Sequence, residues 1–503
     1  MAVHWDETDH LSDEFGIQGY DVPDPGAQYS QLILMTPVSG SYNIDLIFYS
    51  SLRLLVGPIQ VISEYMFMIK TVLLMTVMHL FLDMVCKHAN TKSRAKDIAT
   101  CIFGLYQLRS FLVKYSQSHP RLMAFTVFSI VLLTILTRIV RSRAPNKSTI
   151  GILLVLAFIA SPIYVNEYLI YRSNRHDHTI LRAVLMILVM KATSESLQSS
   201  SHDSPTIIET LSYLLNPATI VLGPWHARHP HSFKMAGSST DLCLQYLRKF
   251  KQAVFCFFKT FCILTISTNL SELSEYITSM TTDTSIERLS EIYFIALEFR
   301  FSHYFACFLS LTLLNLSQTG DTIQVCKMKT VEWPRSLVEV VVSWNIPMHL
   351  WLKDNIFNPL RRSQKSIILA VIITYLCSST LHGFKFHIWA VLLSLGVASW
   401  IEHGLRQKLA TRYSICVLAR PCSLATGQTC TRHRRKTGNS ATKELVINGI
   451  FRAATILQLA YLGSIFVGNT DVGNYREALQ IWADTYYVGH VLIVTMFILK
   501  TIL

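Results

Sequence analysis

The chain has 503 residues, of which 51% are hydrophobic and only 15% charged, and its formal net charge is +13. Soluble globular chains carry about a quarter charged residues, so this composition excludes a water-soluble domain and indicates a polytopic membrane protein. The excess lysine and arginine falls in linkers between apolar stretches, as cytosolic loops require, and builds no aromatic-interleaved basic groove, so a nucleic-acid partner is excluded.

Residues 1–45 read as a flexible acidic tail, with Asp6, Glu7, Asp9, Asp13, Glu14, Asp21 and Asp24, and with Pro23, Pro25 and Gly26 opposing regular structure. The tail has no apolar run of the signal-peptide kind, so targeting is expected to come from a membrane span. Residues 46–503 read as a single transmembrane domain. Its apolar segments fall at 46–62, 65–86, 98–113, 121–140, 149–171, 179–191 and 206–223. Further segments follow at 251–270, 292–316, 335–353, 366–382, 385–405, 446–467 and 485–503. A helix needs about 20 residues to cross, so 98–113 and 179–191 read as re-entrant or interfacial, and about ten to twelve spans are expected.

Basic linkers occur at Lys87–Lys96, Arg138–Lys147, Arg361–Lys365 and Arg406–Lys443. The last two flank a pair of apolar segments and so share one side, which makes 405–444 a basic cytosolic loop. The equally basic Arg172–Arg182 conflicts with strict alternation of sides. Eleven cysteines are scattered without the paired spacing of a disulfide framework. Cys256, Cys262, Cys307 and Cys377 lie in apolar runs and read as small core residues. In the basic loop, Cys416, Cys422, Cys430 and His433 are too loosely spaced for a zinc site, so no metal is expected; juxtamembrane acylation is the other reading for these thiols.

The stretch from Val331 to Glu402 carries the chemistry. If the run after Ser366 is a helix, Tyr375, Ser378, Ser379 and His382 recur at i, i+3, i+4 and i+7 and share one face. With a rise of ~1.5 Å per residue, His382 lies roughly 25 Å from Lys365, deep in a hydrocarbon core of ~30 Å. Gly383 lets the backbone turn there or lets a ligand approach closely. On the preceding apolar segment, Ser343, Trp344 and Asn345 stand just before Pro347. Proline cannot donate to the carbonyl of Ser343, so a kink is expected, with that carbonyl either partnered elsewhere or lining a wet cavity. Polar groups in hydrocarbon are costly, which makes Asn345 and His382 candidates for a functional pair. The residues alone leave a second reading open, in which both are hydrogen-bonded packing groups.

Several stretches together carry a resemblance: S-W-N-I-P-M-x-x-W-L at Ser343–Leu352, L-H-G-F-x-F-H at Leu381–His387, T-I-V-L-G-P-W at Thr219–Trp225, F-S-H-Y-F at Phe301–Phe305, P-R-S-L-V-E-V-V at Pro334–Val341, and L-A-Y-L-G-S-I-F at Leu459–Phe466. The chain resembles the membrane-bound O-acyltransferase family over about residues 205–467. That resemblance implies an all-α polytopic fold around a central tunnel in the endoplasmic reticulum membrane. The implied reaction moves palmitoleate from palmitoleoyl-CoA to a serine of Wnt proteins, a step needed for their secretion and signalling. His382 matches the family's catalytic histidine and Asn345 its partner asparagine. Ser343, Trp344, Tyr375, Ser378, Ser379, Tyr304 and Trp225 are the candidate substrate-binding positions. No cofactor is implied beyond palmitoleoyl-CoA as acyl donor, and membrane lipids surround the chain. His303 departs from the family's frequent F-S-N-Y-F, so the resemblance fixes no role for it.

In this reading His382 takes the proton of the serine hydroxyl as it attacks the thioester, and Asn345 leads the candidate donors to the oxyanion. Direct transfer is expected, since no serine or cysteine sits in a recognisable nucleophile motif. Gly223-Pro224-Trp225 is expected to end a helix at the membrane interface with Trp225 as an aromatic anchor. Arg300, Ser302, His303 and Tyr304 read either as snorkelling and helix-contact groups or as a tunnel lining. Arg361, Arg362 and Lys365 read either as topology signals or as a CoA phosphate patch. The competing functions are acyl transfer to a hedgehog-type or ghrelin-type peptide or a lipid alcohol, and a non-enzymatic transporter. Inverted repeats would support the transporter, and the chain has no internal duplication.

Overall fold

A computed structural model of the chain describes residues 44–86, 89–116, 118–143, 160–166, 175–197, 205–228, 239–279, 284–317, 323–363, 366–420, 438–466 and 475–503. These residues form helices and connections with no strand among them. Most of the acidic tail, and Cys422, Cys430 and His433 of the basic loop, lie outside the described residues.

The first part of the chain forms α1 (Ile44–Val85), α2 (Ala89–Tyr115), α3 (His119–Arg143), α4 (Ser161–Val165), α5 (Arg175–Leu197) and α6 (Ile207–Leu214). Two long helices follow, α7 (Ser239–Ser279) and α8 (Thr284–Leu316), which make the most extensive helix–helix contact in the structure. Short pieces come next: α9 (Met328–Glu332), α10 (Leu337–Trp344), α11 (Ile346–Leu352), a π turn at Lys353–Phe357, and α12 (Asn358–Arg362). The chain ends with α13 (Ile367–Leu381), α14 (Phe386–Arg412), α15 (Gly438–Gly463), α16 (Tyr475–Asp484) and α17 (Val488–Ile502).

Among the described residues, six helices are long and apolar enough to cross a membrane, or seven counting α16 and α17, bent by 72° at their junction, as one span. This falls short of the ten to twelve expected from hydropathy, for identifiable reasons. The segments 46–62 and 65–86 merge into the 42-residue α1. The segment 206–223 holds only the eight-residue α6 and a run of turns, and 335–353 is broken into α10 and α11. At 15 residues, α13 is shorter than a full crossing. Most of 149–171 lies outside the described residues.

The outer faces of the long helices carry large exposed apolar side chains, such as Leu74 and Phe81 of α1, Phe128 of α3 and Phe258 of α7. Water would penalise such contiguous surface; lipid does not. Hydroxyls on these helices bond back to the carbonyl four residues earlier, as in Thr71 to Phe67, Thr134 to Ile130 and Thr260 to Cys256. That internal bond allows a Ser or Thr to sit in hydrocarbon without an orphaned polar atom.

Two apolar cores meet around residue 345. The larger joins α1, α2, α3, α5 and the α6 region to Met348 and Trp351 of α11, with Leu360 and Leu381. The second joins α7 and α8 to Val325, Cys326, Val331 and Val340, with Trp344 packed at its edge. Trp225 is only 7% exposed and belongs to the larger core, so it is a packing residue and not the interfacial anchor its motif suggested. Trp351 is locked into the same core by its indole N–H, which donates to Met190 O at 2.9 Å.

A buried charge cluster fixes α14 to the rest. Arg406 is fully buried and donates to Glu402 Oε1 at 2.7 Å, to Val417 O at 3.0 Å, to Asn448 Oδ1 at 3.2 Å and to Arg335 O. Its guanidinium lies 4.1 Å from the ring centroid of Phe451. The second oxygen of Glu402 accepts Leu337 N–H at 2.8 Å, the first amide of α10. One guanidinium therefore ties together α14, α15, the 415–419 turn and the start of α10. Arg406→Met strands the Glu402 carboxylate in the core and is expected to cost about 3–5 kcal/mol. The Arg406→Met/Glu402→Gln pair leaves no buried charge and should recover part of the loss. Thermal unfolding of detergent-purified variants measures both, and equal loss in the single and double variants would contradict this account.

Candidate active site

The site is built on a helix break. Ser336 caps α10 by accepting Glu339 N–H at 3.1 Å, and its own hydroxyl donates to Ala419 O at 2.8 Å. The helix then stops at Asn345, whose φ of −136° and ψ of 87° are not helical. Pro347 stands in the first turn of α11, where a missing N–H costs nothing. The expected kink is thus a full interruption.

An interruption orphans carbonyls behind it and N–H groups ahead of it, and in a membrane each must find a protein partner. Ser343 O, the carbonyl that Pro347 cannot serve, accepts Lys327 N–H at 2.9 Å. Trp344 O accepts from His303 Nε2 at 3.1 Å. Ile346 N–H donates to Val325 O at 2.9 Å. Met348 N–H donates to Asn345 Oδ1 at 3.1 Å, so the Asn345 side chain is the N-cap of α11. The amide oxygen must face that N–H, which leaves Nδ2, with its two protons, as the free end of the carboxamide.

His382 ends α13, much as the sequence indicated. Ser366 caps the start by accepting Leu369 N–H at 3.2 Å, and His382 is the C-cap residue. Its backbone N–H is shared between Ser378 O at 3.2 Å and Ser379 O at 3.1 Å. Gly383 follows with φ +93°, a left-handed turn that a side chain would strain. Gly383 O is held by Trp389 Nε1 at 2.7 Å, which fixes the entry into α14. Arg182 of α5 and His303 of α8 lie close enough to act electrostatically on the His382 imidazole.

His303 links the two halves. Its ring stacks on the Trp344 indole at 4.1 Å between centroids with planes 10° apart. The stack continues from Trp344 to Phe299 at 6.1 Å and from Phe299 to Phe466 at 4.2 Å, and His387 meets Phe466 edge-on at 5.9 Å. His303 thus touches the Trp344–Asn345 break directly and acts electrostatically on His382, the other member of the expected pair.

The other sequence candidates fall into place around this core. Ser343 is buried and takes part through its carbonyl. Tyr304 hydroxyl donates to Glu332 Oε1 at 2.7 Å, while Arg300 grips the same carboxylate at 2.9 and 3.1 Å, so both are helix-contact groups. Tyr304 still touches Trp344, ring to ring at 5.8 Å. Ser379 donates to Tyr375 O at 2.9 Å, and Ser378 is buried beside it. The Tyr375 ring covers Gly396 of α14 so closely that a Cβ there would lie 2.8 Å from it. Within the polar stripe, Ser379 is thus engaged with its own helix and the Tyr375 ring with α14. Among the described residues no three His, Cys, Asp or Glu side chains are placed to hold a metal, and Cys416 is buried.

The profile of the membrane-bound O-acyltransferase family matches residues 112–410, more than half of the chain, including His303, Trp344, Asn345 and His382. The chain belongs to the membrane-bound O-acyltransferase family. It is an enzyme, an O-acyltransferase, built as an all-helical multi-pass membrane protein. Among its relatives, the protein-serine O-palmitoleoyltransferase porcupine of Homo sapiens is 33% identical over 390 residues, covering 72% of this chain and 81% of the relative. The protein of the same name from Anopheles gambiae is 31% identical over 373 residues, covering 68% and 72%. That from Drosophila melanogaster is 30% identical over 360 residues, covering 67% and 66%.

Sequence reasoning missed two parts of this O-acyltransferase site. The strip Val325–Lys327 carries no motif, and its backbone bonds to the break are invisible in one dimension. His303 was noted as a polar residue in a greasy run, but nothing local indicated that its partner lies 41 residues away. Substitutions at Asn345 separate its two ends. Asn345→Ala removes the cap and should cost about 1 kcal/mol of stability. Asn345→Asp keeps an acceptor for Met348 N–H and should retain stability, yet lacks the amide donor. Acyl transfer is expected to fall in both, and wild-type transfer by Asn345→Asp would remove the donor from the chemistry.

Proposed function

We propose that this O-acyltransferase transfers palmitoleate from palmitoleoyl-CoA to the hydroxyl of a protein serine, and that its acceptors are Wnt proteins in the endoplasmic reticulum. The observation that carries the proposal is the His303 bond and stack on the Trp344–Asn345 break, with His382 within its electrostatic reach, inside residues 112–410 matched by the family profile, in a chain 33% and 31% identical to relatives named protein-serine O-palmitoleoyltransferase. The Wnt acceptor and the membrane follow from the resemblance read in the motifs.

A serine hydroxyl becomes nucleophilic as a base removes its proton. In the proposed step His382 accepts that proton while the serine oxygen attacks the thioester carbonyl. Asn345 Nδ2 donates to the oxyanion of the tetrahedral intermediate. Collapse re-forms the carbonyl, breaks the C–S bond and expels CoA, whose sulfur takes the proton back from His382. The ester product and free CoA leave with the enzyme unchanged. Ser379 is less suited as an oxyanion donor, since its hydroxyl already serves the Tyr375 carbonyl.

The test uses full-length protein in nanodiscs with palmitoleoyl-CoA and a Wnt peptide. Transfer should require the acceptor serine and be lost when that serine is alanine. Hedgehog-type and ghrelin-type peptides should remain unmodified, and modification of one of them instead would reassign the acceptor. Removing a general base costs about 10²–10⁴-fold, so His382→Ala should reduce turnover by at least that factor. Unchanged turnover in folded His382→Ala protein would eliminate His382 from the mechanism.

A further inference from the structure

We infer that His303 is a positioning residue for acyl transfer, fixing the Trp344–Asn345 break on α8 through one hydrogen bond and one ring stack. The inference rests on the reading of Asn345 and His382 as the transfer site. Trp344 O is orphaned by the break, and a carbonyl oxygen can only accept. His303 Nε2, 3.1 Å away, must therefore carry the ring proton. This bond sets the tautomer and holds the main chain one residue before Asn345. Parallel stacking on the indole at 4.1 Å restrains the Trp344 side chain as well. Because His303 rises from α8 while the break belongs to the α10–α11 segment, the contact sets the register of one element on the other.

The same proton decides what Cys307 can do. Its sulfur lies 3.3 Å from His303 Nε2, the spacing of a cysteine–histidine nucleophile pair. An Nε2 that already carries hydrogen for Trp344 O is a donor toward that sulfur and cannot take the thiol proton. Cys307 is thus not activated as an acyl acceptor, which agrees with direct transfer to serine.

Two substitutions at His303 separate the bond from the stack. His303→Phe keeps a ring over the indole and loses the donor. His303→Gln places an amide N–H near the position of Nε2 and loses the ring. A displacement of about 1 Å at a reacting group costs up to about 100-fold, so His303→Phe should lower kcat roughly 10- to 100-fold, with KM for palmitoleoyl-CoA within about threefold of wild type. His303→Gln should restore kcat to within about threefold of wild type. A merely structural role would lower the thermal midpoint and folded yield of His303→Phe while leaving kcat per folded molecule intact. If His303→Phe does not fold, His303→Met, which also lacks a donor, takes its place with the same expectations. Wild-type kcat in the folded donor-less variant, or a Gln variant as impaired as it, would overturn the inference. Loss of transfer in Cys307→Ala would overturn the assignment of the proton. His382→Ala is assayed alongside: activity there defeats the site itself, whereas an inactive His382→Ala with a normal His303→Phe defeats the role of His303 alone.

Discussion

The missing N–H of Pro347 governs the centre of this molecule. A carbonyl without a donor in hydrocarbon costs several kcal/mol, so a helix that loses one must be repaired by groups from elsewhere. Here the repair is distributed: Lys327 N–H takes Ser343 O, His303 takes Trp344 O, and Val325 O receives Ile346 N–H. These three bonds tie the break to α8 and to the strip ahead of α9. The site is rigid because the backbone around it has no other means of satisfying its hydrogen bonds.

The break also sits where two cores abut. Met348 and Trp351 belong to the core of the first helices, while Val340 and Trp344 face the core of α7 and α8. A continuous helix would have to present one face to both. Interrupting it at Asn345 lets α10 and α11 each pack on its own side. The start of α10 is held with equal force by Glu402, itself charged and buried only because Arg406 accompanies it. Such a pair contributes little net stability over an apolar substitute, but it resists rearrangement because separating its members leaves an unpaired charge. The two ends of α10 are thus clamped by different means, one through charge and one through orphaned backbone.

The legible and illegible parts of this structure divide along a physical line. Features set by local spacing were readable: α13 from its cap at Ser366 to its end at His382, the turn at Gly383, and the disturbance at Pro347. For Arg300 and Tyr304 the sequence leaves helix contact and tunnel lining both open, and the bonds to Glu332 show the helix contact. Features set by pairing across the fold were not. Hydropathy sums side-chain transfer energies and is blind to whether a turn is helical, so it counted 335–353 as one span and divided α1 in two. Trp225 sits in a motif that looks interfacial, but its environment is decided by the many-helix core it joins, which no window of neighbours records.

Asn345 shows how a structural role and a proposed chemical one can reside in the same side chain. Capping uses its oxygen, and that use points the amide nitrogen away from the helix it caps. Had the cap been a serine or aspartate, the break would be equally well satisfied but would present no N–H donor. His382 is arranged in a parallel manner: its main chain closes α13, and closure frees the imidazole from any part in the backbone's bonding. Both groups proposed for the chemistry therefore hang from helix termini whose geometry is over-determined by hydrogen bonds. Loops of equal length could bring an imidazole and a carboxamide together, but they would have to order both during each turnover. Helix ends fixed in advance avoid that ordering step, which is where much of the barrier to a two-substrate acyl transfer would otherwise lie.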